Sequence, residues 1–156
     1  MGSNHDKYQK GRAWIELNMD NLTHNVKQLQ KLLPKGCALM PAVKANAYGH
    51  GAVRIGLKLA EMGIKDYCVA SASEAIELRR AGITGQILIL GYTCPCQFQD
   101  LVNYHLTQTV VDLAYARALN DYGHPLWVHV GIDTGMHRLG ERSEDVENIC
   151  EIWRLE

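Results

Sequence analysis

The chain has 156 residues, enough for one domain of ordinary size, and 47% of them are hydrophobic. Its 16 basic and 17 acidic residues are mixed along the chain and leave a formal net charge of −1, so no nucleic-acid partner is expected. No stretch reaches the roughly 20 apolar residues that a membrane-spanning helix requires.

The chain contains five irregularly spaced cysteines: Cys37, Cys68, Cys94, Cys96 and Cys150. An odd number without a repeating pattern is atypical of a disulfide framework and favours a reducing, cytoplasmic location. Cys94-Pro95-Cys96 is not accompanied by the second cysteine pair of a structural zinc site, so no metal is expected.

The first predicted elements are a strand and a helix. Residues 13–17 alternate weakly between apolar and polar and predict a short strand. Asn18 or Asp20 is a candidate N-terminal cap for the helix that follows, because either side chain can accept a hydrogen bond from a free backbone N–H. Apolar residues then recur at helical spacing over 22–33.

An alternation of strands and helices follows. Short apolar runs predict five strands: 37–43, 67–70, 86–90, 107–111 and 126–132. The intervening stretches have helical spacing: 52–62, 73–81, 97–104 and 113–121. Glycines follow three of these helices, where a left-handed residue is favoured: Gly63, Gly82 and Gly123. Such repeats predict an α/β fold with parallel strands joined by right-handed crossovers.

Five strands form only the first part of a TIM-type (β/α)8 barrel, which typically needs about 250 residues. The segment 143–156 predicts an amphipathic helix with a candidate cap at Ser143 and no stop signal, as expected for a fragment of a longer protein. We assign 1–11 to a polar linker segment and 12–156 to the N-terminal portion of the barrel. The alternative is a small open α/β domain.

Lys44 carries the clearest chemical signal. It ends an apolar strand and begins the run Lys-Ala-Asn-Ala-Tyr-Gly-His-Gly. At the C-terminal end of parallel strands, it lies where barrel active sites are built. A neutral amine condenses with aldehydes, and burying an ammonium ion is costly. On position alone, a lysine that extends to solvent from the strand end is the commoner interpretation.

Two motifs together resemble one family. Residues 41–51, Pro-Ala-Val-Lys-Ala-Asn-Ala-Tyr-Gly-His-Gly, resemble the pyridoxal-phosphate signature of bacterial alanine racemases, which are fold-type III pyridoxal-phosphate enzymes. Residues 132–140, Ile-Asp-Thr-Gly-Met-His-Arg-Leu-Gly, resemble that family's loop after a later barrel strand. The resemblance extends from about Ala13 onward. It implies that the remaining barrel strands and a C-terminal β-domain are absent from this sequence.

The resemblance implies roles for four residues. Lys44 binds pyridoxal 5′-phosphate covalently and, once released by substrate, exchanges the α-proton on one face of the amino acid. Tyr48 hydrogen-bonds the cofactor phosphate. Arg138 contacts the phenolic oxygen of the cofactor and the substrate carboxylate, a task suited to a planar guanidinium. Leu90 packs near the cofactor ring, with ordinary core packing as an equal alternative.

Two positions depart from the family pattern. Gly131 stands where many alanine racemases have a lysine, often carbamylated, and His137 stands where glycine is usual. We expect the His137 side chain to crowd or reshape the loop that carries Arg138. The absent lysine makes the sequence most similar to the serine/alanine racemases of vancomycin-resistance clusters, which have a membrane domain before the catalytic part. The full-length protein is therefore expected to be membrane-tethered.

The other histidines give weaker signals. His50 is expected to serve loop geometry or helix capping. His129 lies on a predicted strand and is expected to be a core or supporting residue, because histidine is often partly buried without any chemical role.

The expected function is interconversion of L- and D-serine or alanine, for D-amino-acid supply to peptidoglycan or vancomycin resistance. The sequence does not distinguish serine from alanine as the substrate, because a binding pocket discriminates weakly against one extra hydroxyl group unless it offers that group a specific hydrogen-bonding partner. The family's second base is a tyrosine from the partner subunit, so we expect a homodimer in the full-length protein and an inactive fragment. The alternatives are a non-catalytic pyridoxal-phosphate homeostasis barrel and a decarboxylase on the same barrel.

Overall fold

The computed structural model describes residues 13–155, so the predicted linker 1–11 lies outside the described part. The helices are α1 (Met19–Leu32), α2 (Ala52–Glu61), α3 (Ala72–Arg80), α4 (Phe98–Asn103), α5 (Leu113–Asp121) and α6 (Val146–Arg154). The strands are β1 (Tyr67–Val69), β2 (Ile87–Ile89), β3 (Thr107–Val110), β4 (Trp127–Val130), β5 (Ile132–Asp133) and β6 (Glu141–Arg142).

Strands β1 to β4 form a parallel sheet in which the spatial order follows the chain order. Ala42 adds a fifth parallel position through a bridge to Cys68 of β1. Because crossovers between parallel strands are right-handed, a sheet in sequential order has all its connecting helices on one face. The chain therefore folds as the first part of a TIM-type barrel that is not closed, which confirms the predicted fold class.

The hydrophobic core lies between the sheet and the helices. Its largest fully buried apolar side chains come from both layers: Tyr67, Phe98, Leu78, Ile87, Ile89, Leu101, Leu106 and Val69. Burying a side chain of the Leu or Ile type contributes about 1.5–3 kcal/mol. The opposite face of the sheet has no helix over it in the described residues, and Trp127 of β4 is 76% exposed.

Two strand predictions near the start of the chain need correction. The strand at 13–17 is wrong, because these residues pair with no described strand, and Trp14 and Ile15 are 56% and 67% exposed. The strand at 37–43 is reduced to the bridge at Ala42. Pro41 accepts a hydrogen bond from Cys68 N–H at 2.9 Å but has no N–H to donate, which shortens the ladder.

The strand predicted at 126–132 is interrupted at Gly131. The chain leaves the four-stranded sheet there, and β5 pairs with β6 in a separate two-stranded sheet. Gly131 N–H still donates to Val110 O at 3.0 Å, whereas Gly131 O accepts from Glu141 N–H at 3.0 Å. The two halves of the predicted strand therefore serve two different sheets.

The predicted helices are found, with shifts at their ends. Asn18 caps α1, since its Oδ1 accepts from Asn21 N–H at 2.9 Å, and Asp20 lies inside the first turn. The helix predicted at 97–104 begins as a 3-10 turn, Pro95–Gln97, before α4. Ser143 is not a cap, because α6 follows Asp145. Positive φ angles confirm the predicted terminal glycines: Gly63, Gly82 and Gly123.

Candidate active site

A left-handed turn follows Lys44. Ala45, Asn46 and Ala47 have φ of 51°, 53° and 52° with ψ of 48°, 47° and 48°, and Tyr48 has φ of 54°. L-amino acids in this conformation cost about 1–2 kcal/mol each. Four such residues in a row persist only when surrounding contacts hold them.

Glu74 of α3 ties the turn to the sheet. Its Oε1 accepts from Ala45 N–H at 2.8 Å, and its Oε2 accepts from Ala70 N–H at 2.8 Å, directly after β1. Hydrogen bonds to an ionised carboxylate are stronger than neutral ones. One side chain therefore fixes the residue next to Lys44 relative to the end of β1. Sequence reasoning missed Glu74, because nothing in the helical pattern distinguishes it from Glu77.

Asn46 and His50 hold the other side of the turn. Asn46 Oδ1 accepts from Ala52 N–H at 2.8 Å, at the start of α2. His50 Nδ1 lies 2.8 Å from Ala47 O, so the tautomer protonated at Nδ1 donates to this carbonyl. Ala47 is buried. The predicted role of His50 in loop geometry is confirmed.

Lys44 is half-buried, and its amine forms no hydrogen bond or ion pair with the residues that the structure describes. The Tyr48 phenol, 62% exposed, and the exposed Arg138 guanidinium are likewise without a partner within 13–155. Lys44 follows the strand position at Ala42, and Arg138 follows β5. Three hydrogen-bonding groups are thus free to bind a ligand.

The strand register places Leu90 on the uncovered face of the sheet. Leu88 pairs with Thr107, and Thr109 pairs with His129. Because side chains alternate along a strand, Leu90, Thr109 and His129 share this face near the C-terminal edge. Leu90 is half-buried and does not belong to the hydrophobic core cluster. His129 is exposed, so the core alternative of its prediction is wrong, and the supporting role stays a prediction.

A buried polar network holds the loop after β2. Gln108, fully buried, accepts from Thr93 Oγ1 at 2.7 Å and donates to Gly91 O at 2.7 Å. Tyr115 of α5 donates to Thr93 O at 2.9 Å and accepts from Thr93 N–H at 3.2 Å. Burial raises the pKa of Tyr115 to about 12, so the phenol remains a donor at neutral pH. The backbone beside Leu90 is therefore fixed.

Asp133 shapes the loop that carries Arg138. Its Oδ1 accepts from Gly135 N–H at 3.0 Å and from His137 N–H at 2.9 Å, and its Oδ2 lies 3.0 Å from His137 Nδ1. The backbone hydrogen bond from His137 is the main reason why the pKa of Asp133 is lowered to about 2. His137 has φ of 56°, a conformation that glycine adopts without strain. The His137 imidazole is hydrogen-bonded to the Asp133 carboxylate within the same loop.

Gly131 lies in a close approach between strands. A Cβ atom there would lie 3.0 Å from Val110 O and 3.4 Å from Thr109 Cγ2. Such contacts are tighter than ordinary van der Waals packing, so a side chain at this position requires its neighbours to move apart. The packing around position 131 is therefore tight for any residue larger than glycine, at the position where the sequence resemblance implies a lysine in many related proteins.

Two cavities lie in the helical layer. One of about 670 Å³, between α1, α2 and the segment 39–43, is lined by Tyr48. Another of about 650 Å³ lies between α5, β4 and α6. Lys44, Leu90 and Arg138 line neither cavity. Lys44 and Leu90 instead follow strand positions at the C-terminal edge of the four-stranded sheet, and Arg138 lies in the loop between β5 and β6. The cavity that Tyr48 lines is also lined by Val43, directly before Lys44.

The free amine and guanidinium, with an apolar side chain on the same edge, fit a ligand that has an aldehyde, an aromatic ring and negative charge, as pyridoxal phosphate does. Within 13–155, no group of three His, Cys, Asp or Glu side chains is arranged to hold a metal ion. None of the described helices is long and apolar enough to cross a membrane.

Comparison with known proteins decides the family. The sequence profile of the alanine racemase N-terminal domain matches residues 17–155. The chain belongs to the alanine racemase family. An amino-acid racemase of Enterococcus faecalis is 46% identical over 92% of this chain and 20% of that protein. An alanine racemase of Carboxydothermus hydrogenoformans is 42% identical over 92% of this chain and 40% of that protein.

A solved structure of the family has the same fold. The alanine racemase of Clostridium difficile 630 superposes with a TM-score of 0.80 at 39% identity, covering 88% of this chain and 38% of that chain. The present chain thus spans less than half the length of these alanine racemase family members.

Proposed function

We propose that this chain is the lysine-bearing part of a pyridoxal-phosphate-dependent amino-acid racemase, in which Lys44 binds the cofactor and acts as one of two bases. The observation that carries the proposal is Lys44 itself, a half-buried residue whose amine has no partner among residues 13–155 and which directly precedes a turn held by Glu74. Membership of the alanine racemase family supports the racemase class.

Pyridoxal phosphate, when bound, withdraws electrons from the α-carbon of the amino acid and makes its hydrogen acidic. Lys44 Nζ accepts or returns that proton on one face of the substrate. Arg138 binds the substrate carboxylate and the phenolic oxygen of the cofactor, and Tyr48 donates to the phosphate. Leu90 would pack near the cofactor ring, as the sequence resemblance implies.

Racemisation requires a base on each face of the substrate, and Lys44 accounts for one. The sequence resemblance assigns the other to a tyrosine from the partner subunit, which supports the proposal of a homodimer in the full-length protein. The same resemblance supports serine or alanine as the substrate, D-amino-acid supply to peptidoglycan or vancomycin resistance, and an upstream membrane domain. The chain alone is expected to be inactive.

Cofactor attachment is tested by mixing the purified chain with pyridoxal phosphate, reducing with borohydride and locating the modified lysine by mass spectrometry. One adduct per chain at Lys44 is expected, together with a visible absorption band that is absent in Lys44→Ala. Lys31→Ala, which removes an exposed lysine of α1, should retain both signals. Equal labelling of many lysines in a folded chain, unaffected by Lys44→Ala, would contradict the assignment.

The reaction class is tested on the full-length protein in deuterated water. A racemase incorporates deuterium at the α-carbon of serine or alanine and produces the opposite enantiomer. A non-catalytic cofactor-binding barrel would do neither, and a decarboxylase would release carbon dioxide.

A further inference from the structure

Cys94 and Cys96 face each other within one exposed turn. Gln97 N–H donates to Cys94 O at 2.8 Å and closes a four-residue turn with Pro95 at its second position. The two Sγ atoms are 2.7 Å apart, with Cys96 donating to Cys94. Both side chains are exposed. The turn thus presents two thiols, already in contact, to solvent.

We propose that Cys94 and Cys96 form a redox-active dithiol, in which Cys94 attacks an oxidant and Cys96 resolves the product into a reversible intramolecular disulfide. The direction of the hydrogen bond sets these roles, because it stabilises a thiolate on Cys94 and keeps the proton on Cys96. The same hydrogen bond lowers the pKa of Cys94 and raises the pKa of Cys96.

The other cysteines lack this arrangement. Cys37 and Cys150 are exposed, but neither sulfur has a partner among the described residues. Cys68 is half-buried, and burial raises the pKa of its thiol. Cysteine reactivity follows thiolate character and access to solvent. The paired thiols should therefore react before the other three.

The chemistry balances with hydrogen peroxide as the oxidant. The Cys94 thiolate attacks one peroxide oxygen, the O–O bond breaks, and Cys94 sulfenic acid and hydroxide form. Cys96 then attacks the Cys94 sulfur, the S–S bond forms, the S–O bond breaks, and the oxygen of the sulfenic acid leaves as water with the Cys96 proton. The hydroxide from the first step takes up the proton that Cys94 released on ionising and becomes the other water. In total, two thiols lose two protons and two electrons, and peroxide becomes two waters. A small dithiol reverses the reaction by thiol–disulfide exchange.

The position of the turn limits what oxidation changes. Thr93, directly before Cys94, is held by Gln108 and Tyr115. The structural change that accompanies disulfide formation is therefore confined to residues 94–97, and the backbone at Leu90 does not need to move. The proposal consequently does not depend on the proposed racemase activity.

Mass spectrometry tests the proposal on the folded, full chain. After mild peroxide treatment, blocking of free thiols and trypsin digestion, the peptide 81–117 contains Cys94 and Cys96 as its only cysteines. Loss of two hydrogen atoms from this peptide, reversed by a dithiol, is expected. The double variant Cys37→Ser, Cys150→Ser should behave identically.

Single variants test the two roles. In Cys96→Ser, the sulfenic acid should accumulate on Cys94, where dimedone captures it. In Cys94→Ser, the dimedone adduct on Cys96 should be several-fold less abundant. The proposal is overturned if both thiols of 81–117 remain free while Cys37 or Cys150 oxidises. Equal capture in the two single variants would overturn the assigned roles.

Discussion

The Asp133 carboxylate accepts three hydrogen bonds inside the loop that carries Arg138. Its pKa of about 2 in the folded chain lies below the value of about 3.9 for an unfolded aspartate. A group whose pKa is depressed by folding contributes stability that is present above the unfolded value. This contribution is lost as the pH falls through the folded value.

Asp133→Asn should therefore lower the free energy of unfolding at pH 7, because the neutral amide accepts fewer and weaker hydrogen bonds. The difference from the unmodified chain should shrink as the pH falls from about 4 to about 2. Urea unfolding at a series of pH values measures it. Asp121→Asn, an exposed aspartate at the end of α5, is the control. A difference that stays constant down to pH 2 would contradict the role of the charge.

Ala45 allows a test of backbone strain at a single position. Glycine adopts φ of 51° without a Cβ penalty. Ala45→Gly should therefore raise the free energy of unfolding by up to about 1 kcal/mol after the unfolded-state entropy of glycine is included. Ala60→Gly in the right-handed helix α2 should lower it by up to about 1 kcal/mol. Chemical denaturation measures both changes in the free energy of unfolding. If both variants were destabilised, the idea that the turn is strained would be contradicted.

At the scale of elements, helices were predicted well because their signals are local. Apolar spacing gives α5 the predicted bounds, Leu113–Asp121, and the structure adds a cap that was not predicted, in which Asp112 Oδ1 accepts from Tyr115 N–H at 2.6 Å. The strand at 13–17 failed because a strand exists only where a partner accepts its hydrogen bonds, and a local pattern does not reveal partners. The left-handed turn was missed because alanine disfavours this conformation, so the sequence carries no local signal for it. Glu74, 29 residues from Ala45, stabilises it.

Glu74→Gln tests the link between α3, the Lys44 turn and β1. Glutamine offers one carbonyl oxygen where the carboxylate serves two N–H groups, so one of them loses its acceptor. We expect a loss of about 1–2 kcal/mol of stability and faster hydrogen exchange at the amides of Ala45 and Ala70. Glu77→Gln on the same helix is the matched control and should change neither. Unchanged exchange at both amides would contradict the proposed link.

At the scale of the whole molecule, the repeat of strand and helix and the chain length sufficed to predict an unclosed barrel. They did not predict how exposed the last strand of the four-stranded sheet would be. Trp127 is 76% exposed and Val128, which points to the opposite face, is 42% exposed, and β4 pairs only with β3 among the described strands. An unpaired strand edge beside exposed apolar side chains favours association with another chain.

The purified chain should consequently self-associate as its concentration rises, and Trp127→Lys should shift the equilibrium toward monomer by placing a charge at this edge. Sedimentation velocity over a concentration series measures the shift. Trp153→Lys, which removes a tryptophan 82% exposed on α6, should have a smaller effect. Equal effects of the two substitutions would point to general hydrophobicity instead of the sheet edge.

The loop that carries Arg138 leaves and rejoins the barrel at almost the same point. Gly131 N–H and Gly140 N–H donate to the adjacent carbonyls of Val110 and Val111, and Glu141 N–H donates back to Gly131 O. Doubling the length of such a loop costs only about 0.6 kcal/mol of closure entropy. The segment between the two glycines can therefore change in length at little cost, because the hydrogen bonds at its two ends hold the surrounding strands in place.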